Sequence, residues 1–380
     1  MRAVRPGTDP RWGQYYLCRG AAFSTFWAER LLSEKRDLLF ILGKGFDPRT
    51  SLVASAILAL GGEGERRCVA IELDEGPESP SRQHSAGISA NWNALTGLFE
   101  NGQAIELRKI RVRDDRNRRV GSRIAGSLFG QLGSLSKYSD IVVDVSAIPR
   151  DIYFPLIGNL LQLIDENQQS GQTVKPINLH VCVAEEPMLD SKIIEQGIDD
   201  AANLIHGFGG AVDRESTTNL PRVWIPLLGE NQHVQIERIS ELVRPDETCP
   251  ALPFPARNPR RGDNLVLAYH DLLFDTLQVD PKNFLFVTED NPFEVYRQIR
   301  TVVLHYQRVL APLGGCKVVL SALSSKLMSI GAFLVAYEFT GAVGVAHVGS
   351  EGFIISEDGA DGQWNPELFS LWVSGECYEA

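Results

Sequence analysis

The sequence predicts an α/β fold with a mostly parallel sheet covered by helices on both faces, and three observations carry that prediction. Short apolar runs alternate along the chain with longer segments of helical periodicity. Those runs are apolar throughout, without the in-and-out alternation of a half-exposed strand, so both of their faces are expected to be buried. Strand, polar turn and helix also recur in that order at Leu38, Ile141, Phe284 and Val318, which is the grammar of parallel strands joined by crossover helices. A sheet of that kind is Rossmann-like.

Taken in order, residues 1–36 form an N-terminal helical leader, with Trp12, Tyr15, Tyr16, Phe23, Phe26 and Trp27 as packing positions and a helix expected over 24–34. A strand over 37–42 runs into the turn 43–51 and a helix over 52–60. The next strand, 68–73, closes on the acidic group Glu72, Asp74 and Glu75. A helix over 91–100 and a strand over 104–112 follow, then a helix over 124–135, a strand over 141–145 and a helix over 153–165. Strands are expected over 177–183 and 223–228, with a turn at 205–210 between them and a helix over 234–243 after them. Residues 245–263 hold five prolines together with Arg257, Arg260 and Arg261, the composition of a linker or surface loop. Beyond it come a helix over 264–276, a strand over 284–287, a helix over 293–310 and the unit 316–352, CKVVLSALSSKLMSIGAFLVAYEFTGAVGVAHVGSEG. The domains so read are 37–244, a Rossmann-like region, and 264–380, a second α/β region completing the same sheet.

Composition narrows the class. With 380 residues, 44% hydrophobic and 22% charged, the chain is long enough for one large or two ordinary globular domains. A net charge of −11 argues against a surface that coats nucleic acid, leaving only the local stretch of Arg108, Lys109, Arg111, Arg113, Arg116, Arg118, Arg119 and Arg123 for such contact. Alternation there would put Arg111 and Arg113 on one face, either as a phosphate surface or as the protective charge of a solvated edge strand. The six cysteines stand apart, with no CxxC pair, so reduced buried thiols are expected rather than a zinc site. The seven histidines are scattered, and His180 and His347 sit among apolar residues as core or rim positions. No apolar run approaches the length of a membrane span, no signal-like segment opens the chain, and a cytoplasmic location is expected.

Four turns follow strands, and parallel strands would open all four on one sheet edge, where α/β folds bind anions at helix N-termini. The first offers Gly43, Lys44, Gly45, Asp47 and Arg49: glycines for close backbone approach and two cations for phosphate. It lacks the P-loop spacing, and Pro48 stands where a third glycine of a dinucleotide fingerprint would come. A tight turn capped by Asp47 or Thr50 is the plain alternative. The second turn places Asp144 and Ser146 at a strand end and Arg150 at a helix start, where a cation opposes the dipole unless it faces a bound anion or pairs with Asp144. The third, Thr288-Glu289-Asp290-Asn291-Pro292, suits a ribose or a metal, or is a helix capped by Asn291 with Pro292 at its first position. The fourth carries Ser324, Ser325 and Lys326.

Two of these turns resemble known families. Gly43, Gly45, Phe46 and Asp47 resemble the GNGFD-type loop of some phage-abortive-infection and sirtuin-like nucleotide-binding proteins, with Lys44 in place of the asparagine. Residues 321–332, SALSSKLMSIGA, with the following strand 343–348, resemble the second conserved motif of the CRISPR-associated Rossmann fold (CARF) family and its SAVED relatives. That resemblance implies a turn holding the phosphates of a cyclic oligonucleotide messenger through Ser324, Ser325 and Lys326, with Gly331 allowing close helix packing. Here Leu323-Ser324-Ser325 replaces the usual glycines and threonine.

Three functions are compatible with these residues. One is a nucleotide- or phosphate-ligand-binding protein, a sensor or accessory subunit of a prokaryotic antiviral system. Another is a nucleotide hydrolase or nucleosidase using Asp47, Asp144 or Glu289. The last is a scaffold subunit docking a protein partner or a second copy. No cofactor is specified by any motif.

Overall fold

The computed structural model describes residues 9–99, 104–130, 135–170, 176–212, 219–360 and 362–378. The first eight residues of the leader and positions 131–134 of the helix expected over 124–135 therefore lie outside the described residues, as does residue 100 at the end of the helix expected over 91–100. The chain forms two compact units, Tyr15–Gly197 with Ser350–Ala380, and Met1–Gln14 with Ile198–Gly349.

The Tyr15–Gly197 segment begins with β1 (Tyr16–Arg19) and α1 (Ala21–Ser33) and continues through β2 (Leu38–Lys44), α2 (Leu52–Leu58), β3 (Arg66–Asp74) and α3 (Ser85–Leu98). Next come β4 (Ile105–Arg111), α4 (Gly121–Ala125), β5 (Asp140–Asp144), α5 (Arg150–Ser170), β6 (Asn178–Glu185), α6 (Pro187–Asp190) and β7 (Ile193–Ile198). As the all-apolar pattern requires, Leu38, Leu39, Phe40, Ile41 and Leu42 are all buried. On one face Phe23, Trp27 and Leu31 of α1, Val53 and Ile57 of α2 and Leu95 of α3 close over Phe40, Leu42, Cys68, Ala70 and Val142.

The Ile198–Gly349 segment holds β8 (Asn203–Leu204), β9 (Arg222–Leu227), α7 (His233–Val243), β10 (Glu247–Thr248), β11 (Ala251–Pro253), α8 (Arg261–Ala268) and β12 (Leu285–Val287). It ends with α9 (Pro292–Val309), β13 (Lys317–Ala322), α10 (Lys326–Glu338) and β14 (Val343–His347). Residues 245–263 are thus no linker. The prolines at 250, 253 and 255 leave room for only three strand residues, yet β11 pairs in parallel with both β12 and β9, and only 254–260 form an exposed loop. The helix expected over 264–276 starts earlier, as α8, and then widens into a π-helical turn, Asp271–Thr276. Trp12 belongs to this unit, fully buried with its ring 5.3 Å from Tyr296, so the leader is divided between the two units.

After Gly349 the chain returns to the first unit with β15 (Ser350–Ile355), α11 (Glu357–Ala360) and β16 (Glu367–Ser374). β15 pairs with β7, and β16 lies antiparallel to β6. The main sheet of this unit runs β1-β16-β6-β5-β2-β3-β4, and the sheet of the other unit runs β12-β11-β9-β13-β14-β8. The expected second region therefore does not complete the first sheet; it builds one of its own, and the last strand goes home.

Leaving aside the two-residue β10, which pairs in parallel with β9 off the main path, five parallel strands in each sheet repeat one order. The first (β2 or β9) is central, the second and third lie to one side, and the fourth and fifth lie to the other. The direction of winding reverses between the first and fourth strands. The chain leaves those two strands toward opposite faces of the sheet, and the carboxyl edge between them is the topological switch point at which α/β sheets bind ligands. The recurrence of strand, turn and helix in the sequence is thus the mark of two doubly wound sheets of like order. Hence the four turns do not share one sheet edge: the turns after Leu42 and Asp144 belong to one unit, those after Val287 and Ala322 to the other.

Candidate functional site

In the first unit the switch point falls between β2 and β5, so the two loops singled out by sequence, 43–49 and 144–150, meet there. Gly43 makes their approach feasible: a Cβ on it would stand 2.6 Å from the carbonyl oxygen of Ala147. At Gly45 a Cβ would meet open space, and the carbonyls of Gly45 and Asp47 both accept from the Asn91 side chain at 2.9 Å.

The cations of the first loop are committed internally. Lys44 Nζ donates to Glu72 Oε1 at 2.6 Å and lies 4.8 Å from the centre of the Trp92 ring. Burial would raise the Glu72 carboxyl, but the hydrogen bonds and charges of Lys44 and Lys109 hold it below its ordinary range. Arg49 is buried and forks onto Asp47, Nε to Oδ1 at 3.0 Å and Nη2 to Oδ2 at 2.7 Å. Its Nη1 reaches Asp190 at 2.8 Å and the Ala184 carbonyl at 3.3 Å. Asp47 also accepts from the Arg49 N–H at 2.9 Å, so it closes the turn, and the N-cap position of α2 falls to Ser51 instead of Asp47 or Thr50. The expectation that Lys44 and Arg49 stand ready for phosphate is therefore corrected: each already has carboxylate partners.

The second loop is different. Asp144, at the end of β5, is buried, and its Oδ1 accepts from the Ser146 N–H at 2.9 Å and from Ser146 Oγ at 2.5 Å. Ser146 Oγ in turn accepts from the Ala184 N–H at 2.8 Å, tying the loop to the end of β6. The pairing of Asp144 with Arg150 expected from sequence is replaced by this bonding to Ser146. Asp144 Oδ2 is buried and has no hydrogen-bond partner. Burial, reinforced by the nearby Asp47 charge and only partly offset by Ser146 and Arg49, pushes the carboxyl up to about 6. Arg150 is half-buried and is the first residue of α5, a 21-residue helix, so a cation stands at the positive end of a long dipole.

The second unit repeats the arrangement between β9 and β13. Gly229 lies so close to the fourth-strand loop that a Cβ would come within 2.1 Å of the Leu323 carbonyl oxygen. Tyr269 donates to the Gly229 carbonyl at 2.5 Å and accepts from the Gln232 N–H at 2.9 Å, pinning the first loop. Ser325 is the N-cap of α10, accepting from the Met328 N–H at 3.3 Å, while the buried Ser324 directs its hydroxyl to the Met328 sulfur at 3.1 Å. Lys326 is half-buried and opens α10 as Arg150 opens α5. Gly331 does allow close helix packing, since a Cβ there would lie 2.5 Å from Val295 Cβ of α9.

The acidic turn after β12 is a capped helix start: Asn291 Oδ1 accepts from the N–H groups of Phe293 and Glu294, with Pro292 first in α9. Glu289 is bound by Arg261 Nη1 at 2.5 Å and by the Arg257 N–H at 2.7 Å; Arg261 also grips both oxygens of Glu230 at 2.7 Å.

Sequence reasoning missed Glu72, Asn91, Asp190, Glu230, Arg261 and Tyr269. Glu72 carried a signal, an acid at a strand end; the others stand far along the chain from their partners, and only the fold joins them. The Arg-rich stretch is the charged edge of the sheet, where Arg108 pairs with Glu106, Lys109 with Glu72, Arg111 with Asp115 and Arg118 with Asp114. His180 is a core residue, its Nε2 3.0 Å from Asp140 Oδ1. Among the described residues no three His, Cys, Asp or Glu side chains converge as a metal site, and no helix is long and apolar enough to cross a membrane.

No family model and no curated protein matches the chain. Among solved structures it is similar to a mutant of MtNAS in complex with S-adenosylmethionine, at 11% identity and a TM-score of 0.20, over 44% of this chain and 50% of that one. The chain thus spans half the length of that neighbour.

Proposed function

We propose that the protein binds a nucleotide at the β2/β5 switch point, with its phosphates toward Arg150 at the start of α5 and its nucleoside against the loops 43–49 and 144–150. The observation that carries this reading is the convergence of those two loops where the winding of the sheet reverses, with Gly43 giving up a side chain so that they can approach. The β9/β13 switch point, with Lys326 at the start of α10, supports a second phosphate-bearing ligand in the other unit. The resemblance of residues 321–332 to the CARF motif favours a cyclic oligonucleotide there, and with it a sensor or accessory role in an antiviral system.

Binding of radiolabelled ribonucleoside triphosphates and of cyclic oligoadenylates to the full chain tests both parts. Arg150→Ala is expected to weaken binding of triphosphates roughly tenfold, and Lys326→Ala that of the cyclic ligand by a similar factor. Unchanged affinities in both variants would sink the assignment. A hydrolytic reading rests on one observation, the raised carboxyl of Asp144 beside Asp47, which suits a general acid; absence of product after prolonged incubation with the same triphosphates would dismiss it.

A further inference from the structure

Several polar groups around the β2/β5 switch point are bonded within the protein. Lys44 is matched by Glu72, and Arg49 by Asp47 and Asp190; Ser146 is used twice, by Asp144 and by the Ala184 N–H. Asp144 Oδ2 is left buried without a hydrogen bond. A buried carboxylate oxygen with no donor costs far more than a satisfied one, so a fold that keeps it needs a donor at that point or a use for it.

We infer that Asp144 Oδ2 is the acceptor for a neutral hydrogen-bond donor on the nucleoside part of the ligand, a sugar hydroxyl or an exocyclic base amine. The inference rests on the nucleotide reading above and deepens it. A phosphate oxygen is excluded at this point because it brings no proton and would set an anion beside Asp47 and Asp144. A neutral O–H or N–H relieves the orphaned oxygen without adding charge. Ser146 holds Asp144 Oδ1 through both its N–H and its hydroxyl, which fixes the carboxylate plane and makes Oδ2 a directed acceptor. A site built around a buried acceptor rejects an analogue that lacks the donor, because the acceptor is then left unpaired in the complex as well.

The test is equilibrium binding to the full chain of the four ribonucleoside triphosphates, their 2′,3′-dideoxy counterparts and inosine triphosphate, with wild type and Asp144→Asn. A loss of roughly tenfold or more for the dideoxy series identifies a sugar hydroxyl. A like loss of inosine triphosphate against ATP, with the dideoxy series unaffected, identifies the amine. Asp144→Asn should shrink whichever ratio is found to within about twofold, since the amide offers a poorer acceptor for the same donor. The inference is overturned if wild type binds all analogues alike, or if Asp144→Asn leaves the ratio intact, the outcome expected if a resident water satisfies Oδ2. Equal binding of all analogues would still leave the nucleotide reading standing, whereas no binding of any triphosphate would overturn both. Should Asp144→Asn fail to fold, the wild-type ratios decide alone.

Discussion

Asp144 and Arg49 show how far one residue's surroundings can reverse its first reading. Read along the chain, Arg49 is a cation for phosphate and Asp144 a partner for Arg150. In the fold Arg49 is sealed against Asp47 and Asp190, and Asp144 keeps one carboxylate oxygen, Oδ2, without a hydrogen bond. Removing one member of a buried ion network strands the others, so Arg49→Met should lower the unfolding free energy by about 3–5 kcal/mol, measured by urea denaturation. A loss below about 1 kcal/mol would mean the network does not hold these loops.

Asp144 makes a pH-dependent prediction. Its folded carboxyl lies at about 6, above the ordinary 3.8, so the native state prefers the protonated form. The stability this contributes is present below the unfolded value and is lost as pH rises through the folded one. Asp144→Asn cannot lose it, so its stability relative to wild type should be on the order of 1 kcal/mol more favourable at pH 7.5 than at pH 5. A difference independent of pH would show that the carboxyl is not raised.

At the scale of elements, α10 illustrates a helix specified by burial. Leu327 through Ala336 are all buried, and all but Ser329, whose hydroxyl donates to the Ser325 carbonyl, are apolar or glycine, as in a helix enclosed by its neighbours. Gly331 sets its distance from α9, where Val295 Cβ and the Pro292 carbonyl fill the place of a side chain at 2.5 and 2.7 Å. Alanine there would gain about 1 kcal/mol of helix propensity, but the overpacking costs roughly 1–3 kcal/mol. Gly331→Ala is therefore expected to be destabilising in thermal unfolding; a stabilised variant would show that α9 can shift freely. The strands β10 and β11 escaped sequence reading for the opposite reason. Proline punctuates them so closely that only two or three residues pair, too few for any periodicity, and tertiary pairing with β9 and β12 supplies what pattern could not.

At the scale of the whole molecule, the Ile198–Gly349 unit is inserted into a loop of the other. The Asp199 N–H donates to the Gly349 carbonyl at 2.9 Å, so the chain leaves and re-enters at one point. A chain starting at Tyr15 in which a short Gly/Ser linker replaces 199–349 should therefore fold alone, keeping a cooperative melt and a mixed α/β circular dichroism spectrum. An unfolded product would show that the two units do not fold independently.

The sequence carries the α/β class, most of the parallel strands and the loops at their carboxyl ends, because burial on both faces writes a local signature: an unbroken apolar run bounded by glycine, proline or a cap. It marked residues 43–49, 144–150 and 321–326 for the same reason, as polar turns between apolar elements. That these loops divide between two sheets, that Lys44 and Arg49 are matched by carboxylates, and that one oxygen of Asp144 is left unbonded follows from the fold alone. Strand order, and the partner each charge finds, depend on contacts between residues far apart in the chain, and such contacts leave no periodic trace along it.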